Sequence, residues 1–222
     1  GSEDAVVLRF DVVERPVITD IEIEGNDRVG RNRIIDVVLL TRGDMVTRSK
    51  MRIDEEAIRS LYLKQGYPDV EVSSEFIQRD GENIVTFTVD EGKQIAVETI
   101  TFVGNEFATD STLRGEIQLR ERSLFNKGVF QASMLETDQN RIRRFYNQEG
   151  YVDAEVVDVE QEVVADEDDE QRSLMNLTFY IEEGEQYTYG GVEFDGNTIF
   201  TDEELQELVR LEEGEILDLA QF

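Results

Sequence analysis

IEIEGN at 21–26, ITFVGN at 100–105 and VEFDGN at 192–197 are one phrase written three times in a chain of 222 residues. Each alternates apolar and polar residues, the two-residue period of a strand with one buried face. Each then closes on Gly-Asn, a turn that draws on positive φ. After the third copy, in GGVEFDGNTIFTDEEL at 190–205, the chain runs into acids behind Thr201, the pattern of a helix start with Thr201 as its cap.

Two further phrases recur. LYLKQGYPDV at 61–70 matches FYNQEGYVDA at 145–154, with Ile58, Leu61 and Tyr62 answered by Ile142, Phe145 and Tyr146. Their spacing is helical, and Gly66 and Gly150 stop the helices. IVTFTVDEG at 84–92 matches LTFYIEEG at 177–184, both alternating strands that end on an acid and glycine. Gly104 lies 79 positions after Gly25, and Gly196 a further 92, so the second copy is longer by 13. The extra residues fall around ERSLFNKGV (121–129), between the helices, and VVADEDDEQ (163–171), in the last hairpin. Insertions of that kind leave a fold unchanged. A period near 80 exceeds that of stacked solenoids, so each copy is expected to hold its own core.

The order within a copy reads strand, helix, helix, strand, strand. The first strand is placed near 17–24, and a short helix over 31–40 carries Ile34, Val37 and Val38 on one face. A longer helix then runs to Gly66, and Asp80-Gly81 turns a final hairpin. The expected fold class is α+β: tandem modules, each β-α-α-β-β, with two helices packed on a three-stranded mixed sheet. Residues 1–15 read as a cloning remnant followed by the last strand of a preceding module, over 5–15. Complete modules follow at 16–92 and 93–184, and 185–222 reads as the first part of another, with its opening strand at 187–195.

Composition narrows the chemistry. Fifty-one acids against 22 bases leave a formal charge of −29, a surface that repels nucleic acid and anionic lipid. No nucleic-acid partner is expected, and a partner attracted by this overall charge should be basic. Histidine and cysteine are absent, which excludes disulfides, thiolate or histidine metal sites and the serine or cysteine triads. No Walker or dinucleotide fingerprint occurs. The reading is of a non-enzyme with no cofactor and no metal. The acids at 166–170 lack the spaced ligands of a calcium loop and are expected to form a solvated hairpin tip. No apolar run reaches the roughly 18 to 20 residues of a membrane-crossing helix.

The element order, the repeated Gly-Asn, Tyr-x-x-x-Gly-Tyr at 62–67 and 146–151, and EEGEQYTYGGVEFDGN at 182–197 together resemble the POTRA domains of the BamA family of outer-membrane protein assembly factors. VVERPVITDIEIEGN at 12–26 is similar to that family's junction between its first and second POTRA domains. The register implies the end of a first domain, a second and third entire, and the start of a fourth.

The resemblance implies the periplasmic portion of a bacterial outer-membrane protein. Such a scaffold receives unfolded β-barrel precursors and accessory assembly lipoproteins, and belongs to a full-length chain with a downstream membrane barrel. It also implies strand addition at an exposed sheet edge, where unpaired N–H and C=O groups bind an extended peptide with loose sequence demands. The second strand of each module, about 69–78 and 153–163, would be that edge. Val70, Val72, Ser74, Val156 and Val159 are its candidate residues; the alternative is that their side chains only face the core. The joints between modules, Arg15-Pro16, Gly92-Lys93 and Gly184-Glu185, are candidate hinges, or plain turns. Strands cut at the two ends are expected to pair between molecules. A POTRA region of a TamA-type factor or two-partner secretion transporter, and an acidic calcium-dependent adhesion module, are the competing readings.

Overall fold

The computed structural model describes Arg9 and residues 16–219. The strand expected over 5–15, Arg9 apart, lies outside the described residues, and Arg15 with it. The chain forms two compact units, one of residues up to 63 with 69–92, the other of 64–68 with 93 onward.

The first unit runs β1 (Asp20–Glu24), α1 (Arg31–Ile35), α2 (Arg48–Lys64), β2 (Glu71–Arg79) and β3 (Glu82–Asp90). Its sheet has the order β1-β3-β2, with β1 parallel and β2 antiparallel to the central β3, as a mixed sheet requires. Asp80 and Gly81 both hold positive φ, 53° and 85°, the signature of the tight hairpin turn whose twist matches its strands. Helix α2 turns Met51, Asp54, Ile58 and Tyr62 inward, and Ile58 and Tyr62 are fully buried against a core that includes Ile84 and Phe87. Burial of each such side chain contributes on the order of 2 kcal/mol.

The second unit repeats the plan with β4 (Gln94–Val103), α3 (Asp110–Glu116), α4 (Ala132–Gln148), β5 (Glu155–Ala165) and β6 (Arg172–Glu182), in the sheet order β4-β6-β5. Helix α4 buries Leu135, Asp138, Ile142 and Tyr146 at the spacing seen in α2. Strand β6 alternates cleanly, with Met175, Leu177, Phe179 and Ile181 turned into the core.

Residues beyond 184 group with this unit. Their short α5 (Asp202–Gln206) starts in a capping box: the Thr201 side chain accepts from the Glu204 N–H and the Glu204 carboxylate accepts from the Thr201 N–H.

Two expectations change. The helix expected over 31–40 stops at Ile35, because the Leu39 and Leu40 N–H groups donate to the buried Asp54 carboxylate at 2.7 and 3.0 Å instead of continuing the helix. Asp138 does the same for Gln118 and Leu119 after α3. The strand expected at 187–195 is not formed. In both complete modules the opening strand's ladder partner is the last strand of its own module, and no further strand lies among the described residues after β6. Only a single bridge, Thr188 to Ile216, survives there.

Candidate functional site

The two long edges of each sheet differ. On the β1 side, the chain's own loop closes over the start of the edge: Ile18 N–H donates to the Asp44 carbonyl at 2.9 Å, Gly43 N–H returns the bond to Ile18 at 2.8 Å, and Val17 bridges Met45. Arg31 then reaches the Ile21 carbonyl at 2.9 Å. On the β4 side, Arg122 N–H donates to the Val97 carbonyl, Val97 N–H donates to the Gly128 carbonyl, and Ala96 bridges Val129. Further along, Ile100 N–H donates to the Glu121 carboxylate at 2.8 Å, and Arg114 covers the Ile100 carbonyl while pairing with Glu121. By contrast β2 and β5 are hydrogen-bonded to β3 and β6 on one side only, and among the described residues no strand lies on the other.

The sequence-derived edge residues fall on or beside these open strands. Val70 precedes β2 and is buried. Val72, opposite Val89, and Ser74, opposite Phe87, are half-buried within β2, and the Ser74 hydroxyl donates to Glu55 at 2.5 Å. Val156 and Val159 pack against the second unit's core from β5. These side chains point inward or sideways, and what the strand leaves open is backbone. Between Val156 and Asp158 the register slips by one residue, a bulge that leaves Val157 exposed, and no periodicity in the sequence marked it.

A groove of about 690 Å³ runs between α2 and the open strand β2, lined by Val46, Met51, Phe76 and Ser74, with Arg52 and Glu55 on its flank. Of the joint residues, Gly92 and Gly184 both take positive φ, 63° and 70°, and a Cβ there would stand 3.3 and 3.2 Å from the Cβ of Asp69 and Asp153. Pro16, Lys93 and Glu185 are exposed.

Buried polar groups lock each module behind its edge. Tyr62 donates to Glu91 at 2.8 Å, and Glu91 also accepts from the Arg28 and Val29 N–H groups. In the second copy Tyr146 donates to Glu183 at 2.6 Å, which accepts from Phe107 N–H. Burial, reinforced by the Glu183 hydrogen bond, pushes the Tyr146 hydroxyl well above the ordinary tyrosine range. Asn26, Asn105 and Asn197 each donate through the side-chain amide to the carbonyl three residues on. This is why Asn follows Gly in all three phrases. Among the described residues, no three acidic groups converge to hold a metal; Asp166 is instead held by Arg172 and the Asp168 N–H.

Two helices over a three-stranded mixed sheet, repeated along one chain with the second strand left open, define the class: tandem β-α-α-β-β domains. The chain belongs to the POTRA family, whose profile, described as "POTRA: Surface antigen variable number repeat", matches residues 16–92, 95–184 and 187–222. It is similar, at 39% identity over 217 residues, to the "Putative outer membrane protein assembly factor" of Treponema pallidum, with 98% of this chain and 26% of that protein aligned. It is 29% identical to "Outer membrane protein assembly factor BamA" of Nitratidesulfovibrio vulgaris, over 95% of this chain and 26% of that protein. The chain thus spans about a quarter of the length of these relatives. Both of these matches run through nearly the whole chain. Among solved structures, POTRA domains 3–5 of Haemophilus influenzae BamA align with 95% of this chain and 85% of that one, at 20% identity and a TM-score of 0.48.

Proposed function

We propose that the chain is a periplasmic scaffold of outer-membrane protein assembly, and that it binds unfolded β-barrel precursors by adding their strands to β2 and β5. POTRA domains of BamA are periplasmic parts of outer-membrane proteins, and that kinship supports the reading. One observation carries the reading: the β1 and β4 edges are partly capped by the chain's own loops and side chains, whereas among the described residues β2 and β5 carry no such cap. An extended peptide satisfies the open donors and acceptors with its backbone, so many sequences fit. The α2–β2 groove would take the alternate side chains that face it. Scaffolding of this kind calls for no catalytic group. Accessory lipoproteins and a membrane barrel in the same full-length chain are the other partners proposed from its kinship. Gly92 and Gly184 are proposed as the residues where the joints between modules bend.

A photocrosslinking residue placed at Val72 or Val157 in the full-length protein tests the edges in cells. Adducts with unfolded barrel precursors are expected there and not from Thr101 on the capped β4. Equal labelling from Thr101, or none from either open strand, overturns strand addition.

A further inference from the structure

Helix α4 carries Arg141, Arg143 and Arg144 within four positions, and no acid interrupts 139–148, in a chain with more than twice as many acids as bases. With Thr137, Asn140 and Asn147 these arginines line a groove of about 520 Å³ on the helix's outward side. The guanidinium of Arg141 is held by the Glu116 carbonyl at 3.2 Å and that of Arg143 by the Asn140 side chain at 2.8 Å. Arg144 has no hydrogen-bond or ion-pair partner among the described residues. The Asn147 amide oxygen is buried without a hydrogen-bond partner among the described residues.

The other complete module shows that the fold does not require this face. Helix α2 matches α4 at its inward residues, with Asp54, Ile58 and Tyr62 answering Asp138, Ile142 and Tyr146. Outward, it has Glu56, Ala57 and Ser60 where α4 has Asn140, Arg141 and Arg144. One arginine of the three, Arg143, has a counterpart in Arg59. The same scaffold therefore stands with and without the cluster, and α4 adds positive charge and removes an acid.

From this we propose that the outward face of α4 docks an acidic segment of a partner protein, with carboxylates seated on Arg141 and Arg144. Planar guanidinium groups take carboxylates in paired hydrogen bonds, and two of the three are already oriented. At physiological salt, charge is screened beyond about 8 Å, so a short segment feels the arginines more than the distant acids. An extended polyanion or an anionic bilayer is a poorer fit, because it would press many phosphates against the carboxylates around the patch. The site is independent of the strand edges.

The test uses a fluorescent peptide of alternating glutamate and serine, its glutamine counterpart, and vesicles of phosphatidylcholine with and without phosphatidylglycerol. The glutamate peptide alone should bind, and Arg141→Glu/Arg144→Glu should weaken it about tenfold or more. The double reversal Arg59→Glu/Lys64→Glu on α2 should change binding less than about twofold. Arg144→Ala, which removes no internal bond, should weaken binding in a chain of unchanged melting temperature. No binding of the glutamate peptide, equal binding to the α4 variants, or α4-dependent binding of the anionic vesicles in its place would each overturn the proposal. Crosslinking from Val72 or Val157 should be unaffected by the α4 variants, which separates this site from the edges.

Discussion

A methyl group on Gly104 would lie 2.1 Å from the Ile181 carbonyl oxygen, and one on Gly25 would lie 2.1 Å from that of Val89, with φ at 88° and 77°. Both glycines sit where the opening strand leaves the sheet beside the end of the central strand, so neither room nor backbone conformation admits a side chain. Gly196 has the same φ, 83°, with nothing within 4 Å. Gly104→Ala should therefore cost about 3 kcal/mol or more, and Gly196→Ala only about 1 kcal/mol of backbone strain. Urea unfolding of the two variants checks this, and equal losses would mean that conformation alone, not the approach of Ile181, fixes the glycine. Tyr146 gives a second test at this scale. With its folded pKa raised above the ordinary value of about 10, its neutral hydrogen bond to Glu183 stabilises fully below that pH, and the contribution is lost as pH rises toward the folded value. Tyr146→Phe should cost about 1–2 kcal/mol at neutral pH. The gap between wild type and variant should narrow above about pH 10.

At the scale of elements, the longer hairpin of β5 and β6 carries the acidic insertion, and one of its acids is structural. The Asp168 N–H, then the Arg172 side chain, hold the Asp166 carboxyl below the usual aspartate range. Such a group stabilises the fold above its unfolded pKa and loses that contribution as pH falls through the lower folded pKa. Asp166→Asn should accordingly melt below wild type at pH 7, and the difference should shrink once the pH drops below about 4. A pH-independent difference would assign the effect to packing. This hairpin also marks where sequence reasoning runs out. Periodicity and the three phrases located the opening and closing strand of each complete module and both long helices, because burial of one face leaves a local pattern, whereas the place of β5 came from the family resemblance. They could not locate the end of α1, which depends on an aspartate 14 to 15 residues beyond the N–H groups it accepts from, or the β5 bulge, which is a matter of register with β6. Asp54 with Asp138, and Glu91 with Glu183, recur at matched positions of the two copies. That recurrence was the available signal; read singly, they look like surface acids of a very acidic chain. VEFDGN shows the converse. Its pattern is as good as the other two, yet it forms no strand, because a parallel opening strand exists only with its module's last strand beside it.

For the molecule as a whole, 22 bases cannot neutralise 51 acids, and an excess of 29 negative charges remains at neutral pH. The ion pairs that do form are mostly half-exposed, such as Arg42–Asp20 and Arg79–Glu22, each at 2.7 Å. Pairs of that kind are worth about 1 kcal/mol at most, and salt weakens them. Salt also weakens the mutual repulsion of the unpaired acids, which act together against the compact state. Because the unpaired acids outnumber the pairs, repulsion should win. The melting temperature should climb steadily between about 10 and 500 mM sodium chloride as the screening length falls from about 30 Å to below 8 Å. A melting temperature that falls across that range would show that the pairs outweigh the repulsion. Calcium chloride at matched ionic strength should raise it without saturating at low concentration, as screening alone demands. A steep, saturating increment at micromolar calcium would instead reveal a built cation site and favour the adhesion reading over the assembly scaffold.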